Sequence, residues 1–171
     1  HHYAGNGLRA LGPQAEPAIP ALKGHFFGEN DIRADIAAKV LGEIGPPAFP
    51  VLQPALTNAI TEVRLRALMA FAVGASTNHA DRVVPILKEV VVNGPDDWMK
   101  LYAAVLLAKL GREEALTVPV LVEGMQRHIN DTRAEAIHAL LRFPARAREH
   151  IGIIRQLAQD RIREAIGVPE K

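Results

Sequence analysis

Four prolines recur along this chain at nearly constant distance, each inside the same kind of apolar string: Ile19-Pro20-Ala21-Leu22, Phe49-Pro50-Val51-Leu52, Val84-Pro85-Ile86-Leu87 and Val118-Pro119-Val120-Leu121. The prolines are 30, 35 and 34 residues apart, and Ile151-Gly152-Ile153-Ile154 repeats the string 33 residues after Pro119 with glycine in the proline position. A chain that is self-similar at this period folds as a row of like units, each burying its apolar face against its neighbour.

Every string is followed by an acidic and then a basic residue: Asp31 and Arg33, Glu62 and Arg64, Asp97 and Lys100, Asp131 and Arg133, Asp160 and Arg163. An Ala- and Leu-rich run comes next, which predicts two helices per copy. Proline suits the first turn of the first helix, where its missing N–H costs little, and the acidic residue caps the second helix at its positive end. Glycine with proline, at 12–13 and 45–47, closes one copy and opens the next. Helices are expected over 3–11, 16–27, 31–44, 47–58, 61–73, 80–92, 97–110, 114–128, 131–142, 146–158 and 160–167. The whole chain, 1–171, reads as a single repeat domain with copies near 1–12 (partial), 13–45, 46–74, 75–111, 112–142 and 143–171.

Composition agrees with an all-α reading. Hydrophobic residues make up 49% of the chain and aromatic ones only 5%, which suits closely packed helices better than sheets. Twenty Lys and Arg against 19 Asp and Glu give a net charge of +1, so no global field selects nucleic acid or an anionic surface. There is no cysteine, and hence no disulfide or thiolate chemistry within these residues. No apolar run approaches the roughly 20 residues that span a bilayer. Localisation stays open.

The acidic-x-Arg step, the Ala-rich second helix and the closing "LGxIGP" are carried here by Asp31, Arg33, Ala37, Ala38, Leu41, Gly42, Ile44, Gly45 and Pro46. With these residues the chain resembles the HEAT-like repeat family, in particular the short repeats of phycobilisome lyases. The resemblance implies a right-handed α-solenoid of about five helix pairs. It also implies a structural ladder in which the basic residue of one copy bridges neighbouring acidic ones, here Asp31, Arg33, Glu62, Arg64, Asp97, Lys100, Asp131, Arg133, Asp160 and Arg163. Gly45 lies 12 residues after Arg33, and the same count back from Gly12 falls just before His1. The first copy is therefore expected to be incomplete, with more protein upstream.

With the basic residue of each second helix as zero, offsets 1, 4, 5 and 8 are apolar in almost every copy and offsets 2 and 6 vary. The variable pairs, expected on an open face, are Asp35 and Lys39, Arg66 and Ala70, Tyr102 and Leu106, Glu135 and Ala139. Trp98, Tyr102 and Leu106 form an i, i+4, i+8 stripe, so Trp98, Tyr102, Leu106, Arg66 and Glu135 are candidates for partner binding. The competing reading folds Trp98 onto the loop at 93–96. A second candidate is a basic patch, Arg142, Arg146, Arg148 and Arg155, set against a plain solvated face.

Chemistry is less visible. Seven histidines form no His-x-x-x-His or His-Glu-x-x-His pattern, Ser76 is the lone serine, and His138 falls at an inward offset. No catalytic residue, metal ligand or cofactor is expected. The leading expectation is a non-catalytic scaffold or protein-binding module. The alternatives are a lyase-type enzyme subunit handling a chromophore, which only the resemblance supports, and, less favoured, a DNA-binding HEAT-like protein.

Overall fold

The computed structural model describes residues 11–29, 31–76, 79–127 and 131–165. The helix expected at 3–11 lies almost wholly outside them, as do the side chains of Asp131 and Arg163. Among the described residues there are ten α-helices and no strand. The helices are α1 Ile19–Phe26, α2 Asp31–Ile44, α3 Phe49–Ala55, α4 Thr61–Ser76, α5 Ala80–Asn93, α6 Asp97–Lys109, α7 Glu114–Arg127, α8 Asp131–Leu140, α9 Pro144–Glu149 and α10 Ile151–Ala165. The chain divides into two compact units, His1–Ala103 and Ala104–Lys171, with the boundary inside α6.

In the first unit α2 packs against both α1 and α4, and α4 in turn against α3 and α5. Small residues set the closeness of the α2–α4 pair. A Cβ added at Gly42 would stand 2.2 Å from the carbonyl oxygen of Ala70, and one at Gly74 would stand 3.2 Å from that of Gly42. The two backbones thus touch where only glycine and alanine leave room. Phe26, Leu41, Ile44, Leu52, Phe71 and Leu87 fill the core around this contact, each contributing about 1.5–3 kcal/mol by burial. Gly45 ends α2 with φ +78°, a conformation side chains resist, and the His79 ring lies where its Cβ would be. In the second unit α7 packs against α8, and α9 against both α8 and α10, around Leu107, Leu121, Met125 and Leu140.

Proline explains most departures from the expected boundaries. Residues 16–18 and 47–48, expected as α-helix, belong to 3-10 turns in which Ile19 and Phe49 donate three residues back, to Glu16 and Pro46; Pro20 and Pro50 have no N–H to bond those carbonyls in the α-helical manner. Helix α3 stops at Ala55 instead of 58; the N–H groups of Leu56, Thr57 and Asn58 bond three residues back, to Gln53, Pro54 and Ala55. Pro20 and Pro50 are second residues of their helices, as expected. Pro85 and Pro119 are not: each is the sixth residue of α5 or α7 and removes one i→i−4 hydrogen bond. Those two helices start at 80 and 114, as expected, five residues ahead of the proline, and the carbonyls of His79 and Glu113 accept their first amides, Arg82 and Val83 in one case, Leu116 and Thr117 in the other.

The last copy differs most. The expected break near 159 is absent, and the chain instead leaves the helical path at His150 and then runs unbroken through α10. Asp160 therefore lies in mid-helix, where Gln156 Nε2 donates to it at 3.1 Å, and caps nothing.

Candidate interaction face

Burial of the second helices fixes which side chains each presents. Counted from Arg33, offsets 1, 4, 5 and 8 are Ala34, Ala37, Ala38 and Leu41, all buried; counted from Lys100 they are Leu101, Ala104, Val105 and Ala108, again all buried. The second and fourth copies obey the same rule only when the count is moved. From Arg64 only Leu68 of the four is buried, whereas from Arg66 the four are Ala67, Ala70, Phe71 and Gly74, all buried. From Arg133 none of the four is buried, whereas from Glu135 they are Ala136, Ala139, Leu140 and Phe143, all buried. The equivalent positions are thus 33, 66, 100 and 135, at steps of 33, 34 and 35.

This shift relocates four residues expected on the open face, and two of them, Ala70 and Ala139, are fully buried because they hold inward offsets once the count is moved. Arg66 is only 7% exposed and reaches from α4 to α2, where its Nη2 binds the Asp31 carboxylate and its Nε donates to Asp35 Oδ1 at 3.3 Å. Glu135 is half-buried and accepts from Lys109 Nζ at 2.9 Å. His138, expected inward, is exposed, since it stands three residues beyond Glu135 on the side away from the core.

Arg64 reaches an acidic residue of the next copy, as a ladder requires, but the residue is Asp96 rather than Asp97. Its Nη1 donates to the carbonyls of Asn58 (2.8 Å) and Ala59 (3.2 Å), and its Nη2 to Thr61 Oγ1 (3.0 Å) and Asp96 Oδ2 (3.1 Å). Asp96 Oδ1 meanwhile accepts the Met99 amide at 2.8 Å. The N-cap of α6 is therefore Asp96, while Asp97, like Asp31 and Glu62, lies in a first helical turn, near the positive end.

At 100° per residue, the side opposite offsets 1, 4, 5 and 8 is formed by offsets −1, 3 and 6. In the first copy these are Ile32, Ile36 and Lys39; in the second, Leu65, Met69 and Ala72. Ile32 is 69% exposed and Met69 40%, while Ile36, Leu65 and Ala72 are half-buried. The first unit thus shows solvent an apolar face that the sequence pattern alone did not isolate, because the misplaced zero in the second copy hid Leu65 and Met69. In the third copy the same positions turn inward: Met99 and Ala103 are fully buried. The aromatic rings there stand beside that face. Trp98 and Tyr102 are half-buried, with ring centroids 4.2 Å apart and planes tilted by 41°. Leu106, in the second unit, is half-buried.

The four arginines of the candidate basic patch, Arg142, Arg146, Arg148 and Arg155, are all exposed. Arg146 donates to Glu114 at 2.9 Å and to Glu149 at 3.1 Å. These hydrogen bonds, with Glu149 the stronger influence, raise its pKa. Among the described residues no three His, Asp or Glu side chains gather as metal ligands, and no helix is long and apolar enough to cross a membrane. Neither the family models nor the curated proteins give a match to this chain.

Proposed function

We propose that this chain is a non-catalytic interaction module whose helix pairs stack as a right-handed, HEAT-like α-solenoid and whose second helices present a binding face to a protein partner. The observation that carries this reading is the apolar face itself. Ile32, at 69% exposure, and Met69, at 40%, lie on the solvent side of helices whose inner sides are already fully packed, where they are available to a partner's apolar side chains. The recurrence of one burial pattern at 33, 66, 100 and 135 supports the stack, since it is what nearest-neighbour packing of like units requires. Trp98 and Tyr102 supply the rigid aromatic area typical of interface anchors.

A protein captured by this chain from its source extract and then purified is the reagent for the test. Two double variants, Ile32→Glu with Met69→Glu and Trp98→Ala with Tyr102→Ala, are compared with the parent by titration calorimetry, with helicity checked by circular dichroism. A loss of at least about tenfold in affinity for the first variant, with unchanged helicity, is expected from removing two interface anchors. Parental affinity in both variants would sink the proposal.

A further inference from the structure

A groove lies in the first unit, between the end of α3 and the second half of α5. It is an open groove of about 450 Å³, within the size range of small-ligand sites. Leu56, Ile86 and Val90 give it an apolar lining, and Leu56 and Val90 are themselves buried. The rim is polar. Glu89 is the one charged residue lining the groove among the described residues, and its Oε1 accepts from Asn93 Nδ2 at 2.8 Å. The amide thereby orients the carboxylate, and the exposed Gln53 side chain also lines the rim. Gly94 closes the far end, where an added Cβ would stand 2.4 Å from the Val90 carbonyl oxygen, so the wall there is tight backbone.

We propose that this groove binds a short extended peptide segment bearing an aliphatic residue beside a lysine or arginine. Charge complementarity selects the cation, because among the described residues no positive side chain lines the groove beside Glu89. The apolar lining selects what carries it. A long basic side chain lays its methylene stem on Leu56, Ile86 and Val90 and places its head at the carboxylate, while the neighbouring aliphatic side chain occupies the remaining volume. The arginine form gains a fork that matches the carboxylate with paired N–H donors. This site is separate from the apolar face of the second helices and does not depend on it.

The test is nitrogen-15 NMR of the whole chain with three probes: acetyl-Leu-Arg-amide, acetyl-Leu-Glu-amide and acetyl-Gly-Arg-amide. The first is expected to shift the Gly94 amide and the Asn93 side-chain amide in a saturable manner, and the other two to bind more weakly. Glu89→Gln, an exposed and nearly isosteric change, is expected to weaken the first probe about two- to fivefold, the range of an exposed ion pair. Ile86→Ala tests the lining and is expected to weaken acetyl-Leu-Arg-amide while leaving acetyl-Gly-Arg-amide less affected. Absence of shifts at Gly94 and Asn93, equal binding of the Leu-Glu probe, or indifference to Glu89→Gln would each overturn the proposal. The Ile32 and Met69 variants leave these shifts unchanged, so failure here and failure of the interaction-face reading are distinguishable.

Discussion

Two arginines two residues apart on α4 do unlike work because a helix turns them to different neighbours. Arg66 lies between the carboxylates of Asp31 and Asp35, which remain in water on their outer sides, with side chains 80% and 48% exposed. Removing the guanidinium lets both carboxylates rehydrate, so Arg66→Met is expected to cost only about 1–2 kcal/mol. Arg64, with a side chain 12% exposed, holds two carbonyls, a hydroxyl and a carboxylate at once, and its Nε is buried without a hydrogen-bond partner among the described residues. Arg64→Met strands several of these acceptors and is expected to cost about 2–4 kcal/mol. Urea midpoints followed by circular dichroism check the order. A larger loss for Arg66→Met would contradict the assignment of roles.

At the scale of the element, the α2–α4 contact rests on missing side chains. Gly42→Ala drives a methyl into the Ala70 carbonyl, which is backbone and cannot rotate away. The two helices must separate, at a cost of about 1–3 kcal/mol or more for such overpacking; an unchanged melting temperature would show that the contact is looser than described. Much of this architecture is legible in the sequence. Asp31 at one end and Gly45 at the other bracket α2, and the starts of α4, α5, α6 and α7 follow from the same punctuation. The face each second helix presents is less legible, for a physical reason. The acidic-then-basic signature marks where a helix starts, whereas burial marks how it is rotated, and the two slide against each other. Helix α2 begins two residues before its equivalent position, α4 five, α6 three and α8 four. Arg64 and Arg133 carry the signature while Arg66 and Glu135 hold the place. Asp160 misleads in the same way, since no glycine or proline precedes it to stop the helix.

For the whole molecule, the cross-helix ion pairs on the page join residues about one copy apart or less: Arg66 to Asp31, Arg64 to Asp96, Arg146 to Glu114 and Lys109 to Glu135. A helical chain held by such near-neighbour contacts folds quickly, in milliseconds or less for its main phase. Trp98, the single tryptophan, reports this directly after a urea jump, and a dominant phase lasting seconds would argue against nearest-neighbour packing. The steps of 33, 34 and 35 also bear on how such a chain tolerates change in length. Each step is longer than the last by one residue, yet every second helix keeps the same side inward, so the additional residues lie ahead of the equivalent position. An insertion in those connections leaves the packing untouched, while a single residue inserted between Arg33 and Leu41 rotates everything after it by about 100° and carries Lys39 toward the core. Length in this protein is free between helices and fixed within them.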